Sequence, residues 1–216
     1  MAATIHDSII ASSTDTTITI TTFDINAACN ALLVFVGYGH SSNPDPNTLT
    51  VNGVSIQANL LWSVYDGGWP VSRAYYVLNP TTGTHDIALV VSGVAQLAMA
   101  AVSLIGVDVA GTPFGTAATN SATSGTDPLV SVTSSSGLII GFCSSDSEGQ
   151  LDTDSPGVEI KKVLNVGSDT AYSAQYQTAS NPTLNWTQTN NRWACGGIGV
   201  NAPAGGGVIL HPASVM

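Results

Sequence analysis

An all-β fold, an antiparallel β-sandwich of jelly-roll type, is predicted by three features of this sequence. Apolar and polar residues alternate with period two in segment after segment. Turn dipeptides such as Asn52-Gly53 and Asn79-Pro80 punctuate those segments. No stretch sustains the apolar spacing of an amphipathic helix.

The segments follow in order. TTITITTF alternates strictly, with Thr17, Thr19 and Thr21 on one face and Ile18 and Ile20 on the other. ALLVFVGYG, from Ala31, is a near-continuous apolar run, the pattern of a strand covered on both faces. LTVNGVSIQA carries Asn52-Gly53, a strong two-residue hairpin signal. LWSVYD, SRAYYVLN and HDIALVVSG come next. VAQLAMAAVSLIGV contains the helix formers Ala, Leu, Met and Gln. Its β-branched Val102, Ile105 and Val107 and its closing glycines favour a strand. DPLVSVTSSSGLIIGFCSS reads as two strands around a Ser-Gly turn. VEIKKVLNV, TAYSAQYQT, PTLNWTQ and RWACGGIGVN complete about a dozen short strands, the number and spacing of a sandwich or barrel. FGTAATNSATSGTDP (114–128) is expected as a small-residue crossover loop and SSDSEGQLDTDSPG (144–157) as an acidic loop. No internal repeat and no Pro-rich linker stands out. The expected organisation is an N-terminal segment, 1–14, a sandwich domain, 15–202, and a short extended C-terminal arm, 203–216.

Composition narrows the function. The 216 residues suffice for one sizeable β domain or two small ones, and 44% are apolar, so a core can form. Only 8% are charged, against about a quarter in an average soluble domain. Ser and Thr, 24 of each, take their place. The net charge is −10, and the cations are Arg73, Lys161, Lys162 and Arg192 alone. Nucleic-acid binding rests on neutralising phosphates, so neither nucleic acid nor an anionic membrane is an expected partner. MAATIHDSII has no basic, apolar leader pattern, and no apolar run reaches the roughly 20 residues of a membrane helix. Cys29, Cys143 and Cys195 are an odd, widely spaced set. They read as buried reduced thiols in a chain folded in a cytosol.

Few residues invite chemistry. His85-Asp86 follows the turn Asn79–Thr84, but adjacent strand residues point to opposite faces. The pair cannot act as a dyad, and His85 is read as a strand-start residue on a polar face. Asp152 and Asp154, with Asp146 and Glu148 nearby, have a spacing that can hold Ca²⁺. The loop lacks the rest of a calcium motif and is read as solvated acid. No G-x-S-x-G elbow, P-loop or H-E-x-x-H occurs. No catalytic residue, metal site or cofactor is therefore assigned, and no enzyme activity is expected. Trp62, Trp69, Trp186 and Trp193, with Tyr65, Tyr75 and Tyr76, offer material for a sugar platform, although aromatics in sandwiches more often fill cores. Trp69, lifted by Gly67-Gly68 in VYDGGWP, is the best candidate for an exposed loop tip. In the arm, Gly205–Gly207 release Val208, Ile209, Leu210 and His211, which need an apolar partner. Trp69 and these four residues are the partner-binding candidates.

YYVLNPTTGTHDIALVVSG, followed by a strand ending SLIGVD, resembles a β-sandwich module of phage virion proteins and bacterial surface proteins. There a YxLxNPPxGTHTVxVxxSG hairpin precedes an A…SFxGVDQ strand. ALLVFVGYG, LTVNGVSI and NWTQTNNRWACGGIGV look similar too, so the resemblance spans about residues 15 to 200. Asp86, where the pattern has Thr or Val, and the added arm depart from it. The resemblance implies a structural hairpin and a place in a virion. The expected function is a capsid decoration (cement) protein of a bacteriophage. It would bind the major capsid protein on the shell surface as a homo-oligomer, a trimer, after assembly in the host cytoplasm. The alternative is a tail-fibre or spike module that binds a host glycan.

Overall fold

A computed structural model describes residues 2–94, 96–133, 138–147, 149–167, 170–178 and 182–204. The described residues form strands and no helix. The first half holds β1 (Thr4–Ser13), β2 (Thr17–Ile25), β3 (Cys29–Gly39), β4 (Thr48–Val51), β5 (Val54–Ser55), β6 (Leu60–Tyr65), β7 (Pro70–Leu78), β8 (Gly83–Val90) and β9 (Leu97–Ile105). The second holds β10 (Ala118–Ala122), β11 (Leu129–Ser131), β12 (Leu138–Ser145), β13 (Leu151–Thr153), β14 (Val158–Val166), β15 (Thr170–Thr178), β16 (Thr183–Gln188) and β17 (Trp193–Val200).

These strands build antiparallel sheets stacked in four layers. The N-terminal half has an inner sheet, β1-β9-β3-β7-β6, and an outer sheet, β2-β8-β4-β5. The C-terminal half has an inner sheet, β10-β17-β12-β15-β14, and an outer layer, β11-β16-β13. Ile18, Ile20, Ile87 and Leu89 pack against Leu32, Val34 and Val36 inside the first pair. Val130, Leu184 and Trp186 pack against Ile139, Cys143 and Cys195 inside the second. The central core lies between the two inner sheets, where Leu33, Phe35 and Ala100 meet Ile140, Phe142 and Ile198.

The layering explains the sequence patterns. β3 is buried along nearly its whole length because its even and odd residues enter different cores. β2 alternates exposed Thr with buried Ile because its sheet is an outer one. Asn52 and Gly53 have φ of 47° and 76°, and Val51 faces Val54, as a two-residue hairpin requires. β9 is a strand, as its β-branched residues predicted.

Three segments differ from expectation. Residues 4–13, assigned above to a separate N-terminal segment, are β1, which pairs with β9 from Thr4↔Ile105 to Ser13↔Leu97. Its sequence mixes polar and apolar residues because it lies at a sheet edge. The expected 114–128 loop contains β10, which extends the inner sheet beside β17. The expected 144–157 loop contains β13, whose Leu151 is buried against the outer C-terminal layer. Residues 134–137, where the Ser-Gly turn was expected, lie outside the described residues, as do Val208, Ile209, Leu210 and His211 and the arm from 205 onward.

The two halves repeat one strand order. With the two-residue β5 set aside, each half's inner sheet reads first, last, third, sixth, fifth. Each outer layer reads second, seventh, fourth. The sequence carries an echo of this. Ile105-Gly106-Val107-Asp108 closes the last strand of one half and Ile198-Gly199-Val200-Asn201 that of the other. Val107 and Val200 are both buried in the central core, and the Asp108 amide donates to the Asn201 carbonyl at 2.8 Å.

Aromatic knobs lock the halves together. Phe35 stacks on Phe142 with centroids 5.6 Å apart, and Trp62 lies 5.7 Å from Phe35. Tyr172 packs over Gly37 and Trp62 over Gly196, so each ring fills the space a side chain would take. Polar links cross the seam as well. Ser72 Oγ donates to the Phe142 carbonyl at 3.2 Å, and Tyr172 Oη to the Gln96 carbonyl at 3.3 Å.

Candidate functional site

The expected Tyr75–Gly93 hairpin does not form: β7 pairs with β3 and β6 in the inner sheet and β8 with β2 and β4 in the outer one, so the turn between them is scaffold that carries the chain from one sheet to the other. His85 lies in phase with Ile87 and Leu89, and that period places its ring on the core side, 3% exposed, opposite Phe23. This corrects the polar-face reading: counting back in twos from the apolar residues of β8 reaches His85. Its Nε2 meets the Thr81 carbonyl at 2.6 Å, and its Nδ1 meets Asn52 Nδ2 at 2.7 Å. A neutral ring that donates from Nε2 and accepts at Nδ1 satisfies both contacts. Asn52 Oδ1 in turn accepts from the Asp86 amide at 2.8 Å, which ties the β4–β5 turn to β8. Asp86 points outward, so the two neighbours face opposite ways, as strand geometry requires.

The acidic segment is partly engaged in structure. Lys162 Nζ lies 2.8 Å from Asp152 Oδ1 and 3.3 Å from Glu159 Oε2. The hydrogen bond from Lys162 holds the Asp152 carboxyl below its ordinary pKa, and Asp152 raises that of Lys162. Among the described residues, no three His, Cys, Asp or Glu side chains gather as a metal would need. The three cysteines are free and buried. Cys143 and Cys195 face each other across β12 and β17, and burial pushes the Cys143 thiol well above its ordinary range. High pKa and burial both make it a poor nucleophile.

The aromatic residues do not form a platform. Trp62, Trp186 and Trp193 are buried. Trp69, expected at an exposed tip, is half-buried: its indole covers Gly39, and Nε1 donates to Gln96 Oε1 at 3.2 Å. The reason lies in the turn before it. Asp66, whose carboxylate is fully buried, accepts the amides of Gly68 and Trp69 at 2.8 and 2.9 Å and pairs with Arg192 of the other half at 3.1 Å. This folds the Gly67-Gly68 turn back onto the seam.

The cations are similarly committed. Arg73, 3% exposed, reaches Asp45 at 2.5 Å and the Asn43 side chain and Pro44 carbonyl at 2.9 and 3.2 Å. Tyr38 Oη donates to the same Pro44 carbonyl, and the Arg73 guanidinium lies over the Tyr38 ring. Together they fasten the loop between β3 and β4. Burial raises the pKa of Tyr38 and Tyr75 beside them. Among the described residues, Lys161 enters no ion pair, unlike Arg73, Lys162 and Arg192.

Lys161 instead lines an open groove of about 360 Å³ where the two halves meet. Asp7 and Ile9 of β1 form one side, Thr21, Thr22 and Phe23 of β2 another, and Lys161 of β14 the third. Thr21 stood out in the sequence only as an outward residue of TTITITTF and Lys161 only as a cation; none of these residues was expected to form a site, because they come from three separate strands. One signal was present, and it corrects the reading of TTITITTF as strictly alternating: the consecutive threonines Thr21-Thr22 break the period just before Phe23.

No family model matches this chain, and neither a curated protein nor a solved structure is significantly similar to it.

Proposed function

We propose that this chain is a structural protein of a phage virion, a capsid decoration (cement) protein that binds the major capsid protein and stabilises the shell as a homotrimer. The observation that carries the reading is the use of the Tyr75–Gly93 segment, whose two strands lie in different sheets. The residues on which the resemblance to virion modules rests serve to join inner and outer sheets. Asn79, at φ 48°, turns the chain, its amide donates to the Asn30 carbonyl at 2.9 Å, and His85 braces the loop from inside. Three of the four cations hold loops and seams together, which suits a stable coat component. The strand order within each half, with first beside last and second beside seventh, supports the jelly-roll reading.

The test is co-sedimentation of the purified chain with capsids stripped of it. The proposal expects saturable binding to the shell and a mass in solution three times 22.0 kDa. A chain that stays in the supernatant with intact shells contradicts it. The second reading, a tail-fibre or spike receptor-binding module, is favoured by one observation: the groove at the seam carries the one unpaired cation among the described residues.

A further inference from the structure

We propose that the groove between β1, β2 and β14 is a saccharide-binding site, with Asp7, Thr21, Thr22 and Lys161 as its polar contacts. The proposal concerns a site rather than a place in the virion, so it holds for a shell protein and a tail protein alike.

The first argument is local geometry. All three strands that line the groove break register there. β1 shifts between Ile5 and Asp7, β2 between Ile20 and Phe23, and β14 between Glu159 and Lys161. A bulge re-aims side chains and is common beside binding sites. The bulge in β2 puts Thr22 at φ 62°. A β-branched residue is a true outlier in that region, and strain of this kind persists where the surroundings enforce it.

The second argument comes from the duplicated architecture. β10 and β11 occupy in the C-terminal half the places of β1 and β2. Both pair in unbroken register, Ala118↔Gly197 to Ala122↔Trp193 and Leu129↔Asn185 to Ser131↔Thr183. The strand order therefore does not demand the bulges in β1 and β2. The shift in β14 is shared by its counterpart β6, between Leu60 and Trp62, so the bulges particular to this groove are those of β1 and β2.

The third argument is the inventory of groups. Asp7 is exposed, and one of its oxygens accepts only the neighbouring Ser8 amide at 2.7 Å. A carboxylate can accept from two adjacent hydroxyls, an ammonium offers three donors, and threonine hydroxyls donate and accept. Ile9 and Ile10, both half-buried, supply the apolar part of the lining, while Phe23 beneath them is buried in the core. Sugar rings present the same mixture, hydroxyls of both senses around C–H faces. The groove is open rather than enclosed, which disfavours a small apolar ligand that must be mostly buried. A polyanion would meet the Asp7 carboxylate and a chain of net charge −10. The ligand class is a neutral saccharide or one that carries both charges.

The experiment uses the full chain, fluorescently labelled, on an array of bacterial surface polysaccharides and their oligosaccharide fragments, followed by calorimetric titration with the strongest ligand. We expect retention of at least one polysaccharide. Asp7→Asn and Lys161→Ala should each weaken it tenfold or more while thermal unfolding stays unchanged. Asp127→Asn, in the other half, should bind like the parent. Retention of no polysaccharide overturns the proposal, and so does binding that survives both groove substitutions. Neither result bears on capsid co-sedimentation, so the two proposals fail separately.

Discussion

Gly37 is the position where one added carbon tests how the two halves are held. A Cβ there would lie 2.5 Å from Tyr172 Cε1 and 2.6 Å from Ser144 Oγ. Carbon contacts settle near 3.5–4.0 Å, so the ring must move by roughly 1 Å or more. It has little room. Tyr172 is 1% exposed, stacks on Phe142 at 6.3 Å, and anchors its hydroxyl on the Gln96 carbonyl at 3.3 Å. Phe142 in turn stacks on Phe35. Gly37 is not in the left-handed region, so alanine meets no backbone penalty. Overpacking costs about 1–3 kcal/mol, and loss of the tyrosine hydrogen bond adds about 1 kcal/mol. Lower entropy of the unfolded chain returns about 0.4–1 kcal/mol. Gly37→Ala should therefore destabilise by about 2–3 kcal/mol, a large share of the roughly 5–15 kcal/mol a domain has. Urea unfolding followed by tryptophan fluorescence measures it. In a Tyr172→Ala background the ring atoms are gone and only the Ser144 Oγ contact remains, so the same substitution should cost less by at least about 1 kcal/mol. A Gly37→Ala protein within about 0.5 kcal/mol of the parent would refute the packing argument, and an undiminished cost in the Tyr172→Ala background would show that another contact is responsible.

Three further outcomes follow from the same structure. His85→Ala removes a buried ring and its contacts to Asn52 and the Thr81 carbonyl, both on exposed residues that water can reach; it should lower stability by about 1–3 kcal/mol, chiefly through the lost packing, read as a lower Tm, and an unchanged Tm contradicts the bracing role. Asp66→Ala unpairs Arg192 and two turn amides; because Arg192 is half-exposed and can rehydrate, the loss should be about 2–3 kcal/mol rather than more, and high salt should not reproduce it. Burial raises the pKa of Tyr38, Tyr75 and Tyr172. The folded chain then keeps protons that the unfolded chain releases above about pH 10. Their contribution to stability is complete below that pH and declines as pH rises through and beyond it, so ultraviolet titration should show these three ionising only as the fold opens.

Much of the fold was legible because its signals are local. TTITITTF revealed which face of β2 is buried, and ALLVFVGYG revealed that β3 has two covered faces. Neither could say what covers β3, since its partners Ile87 and Phe142 lie far along the chain. Four layers and a repeated strand order are long-range facts, visible in sequence only as the faint echo of IGVD and IGVN. β1 escaped notice because an edge strand carries mixed polarity, and β10 because small residues suit both loops and edges. His85 was misplaced by its chemistry: a polar side chain was assigned to a polar face although the period of β8 points it inward. Of the groove, only the doubled Thr21-Thr22 was legible. Its residues come from three strands, and only bulges bring them together.

The central claim is a place on the capsid shell. A difference map between cryo-electron micrographs of particles with and without the chain tests it most directly. The account predicts added density on the outer surface of the shell, in threefold clusters, over the major capsid protein. Added density confined to the tail or its fibres, with a bare shell, would contradict it.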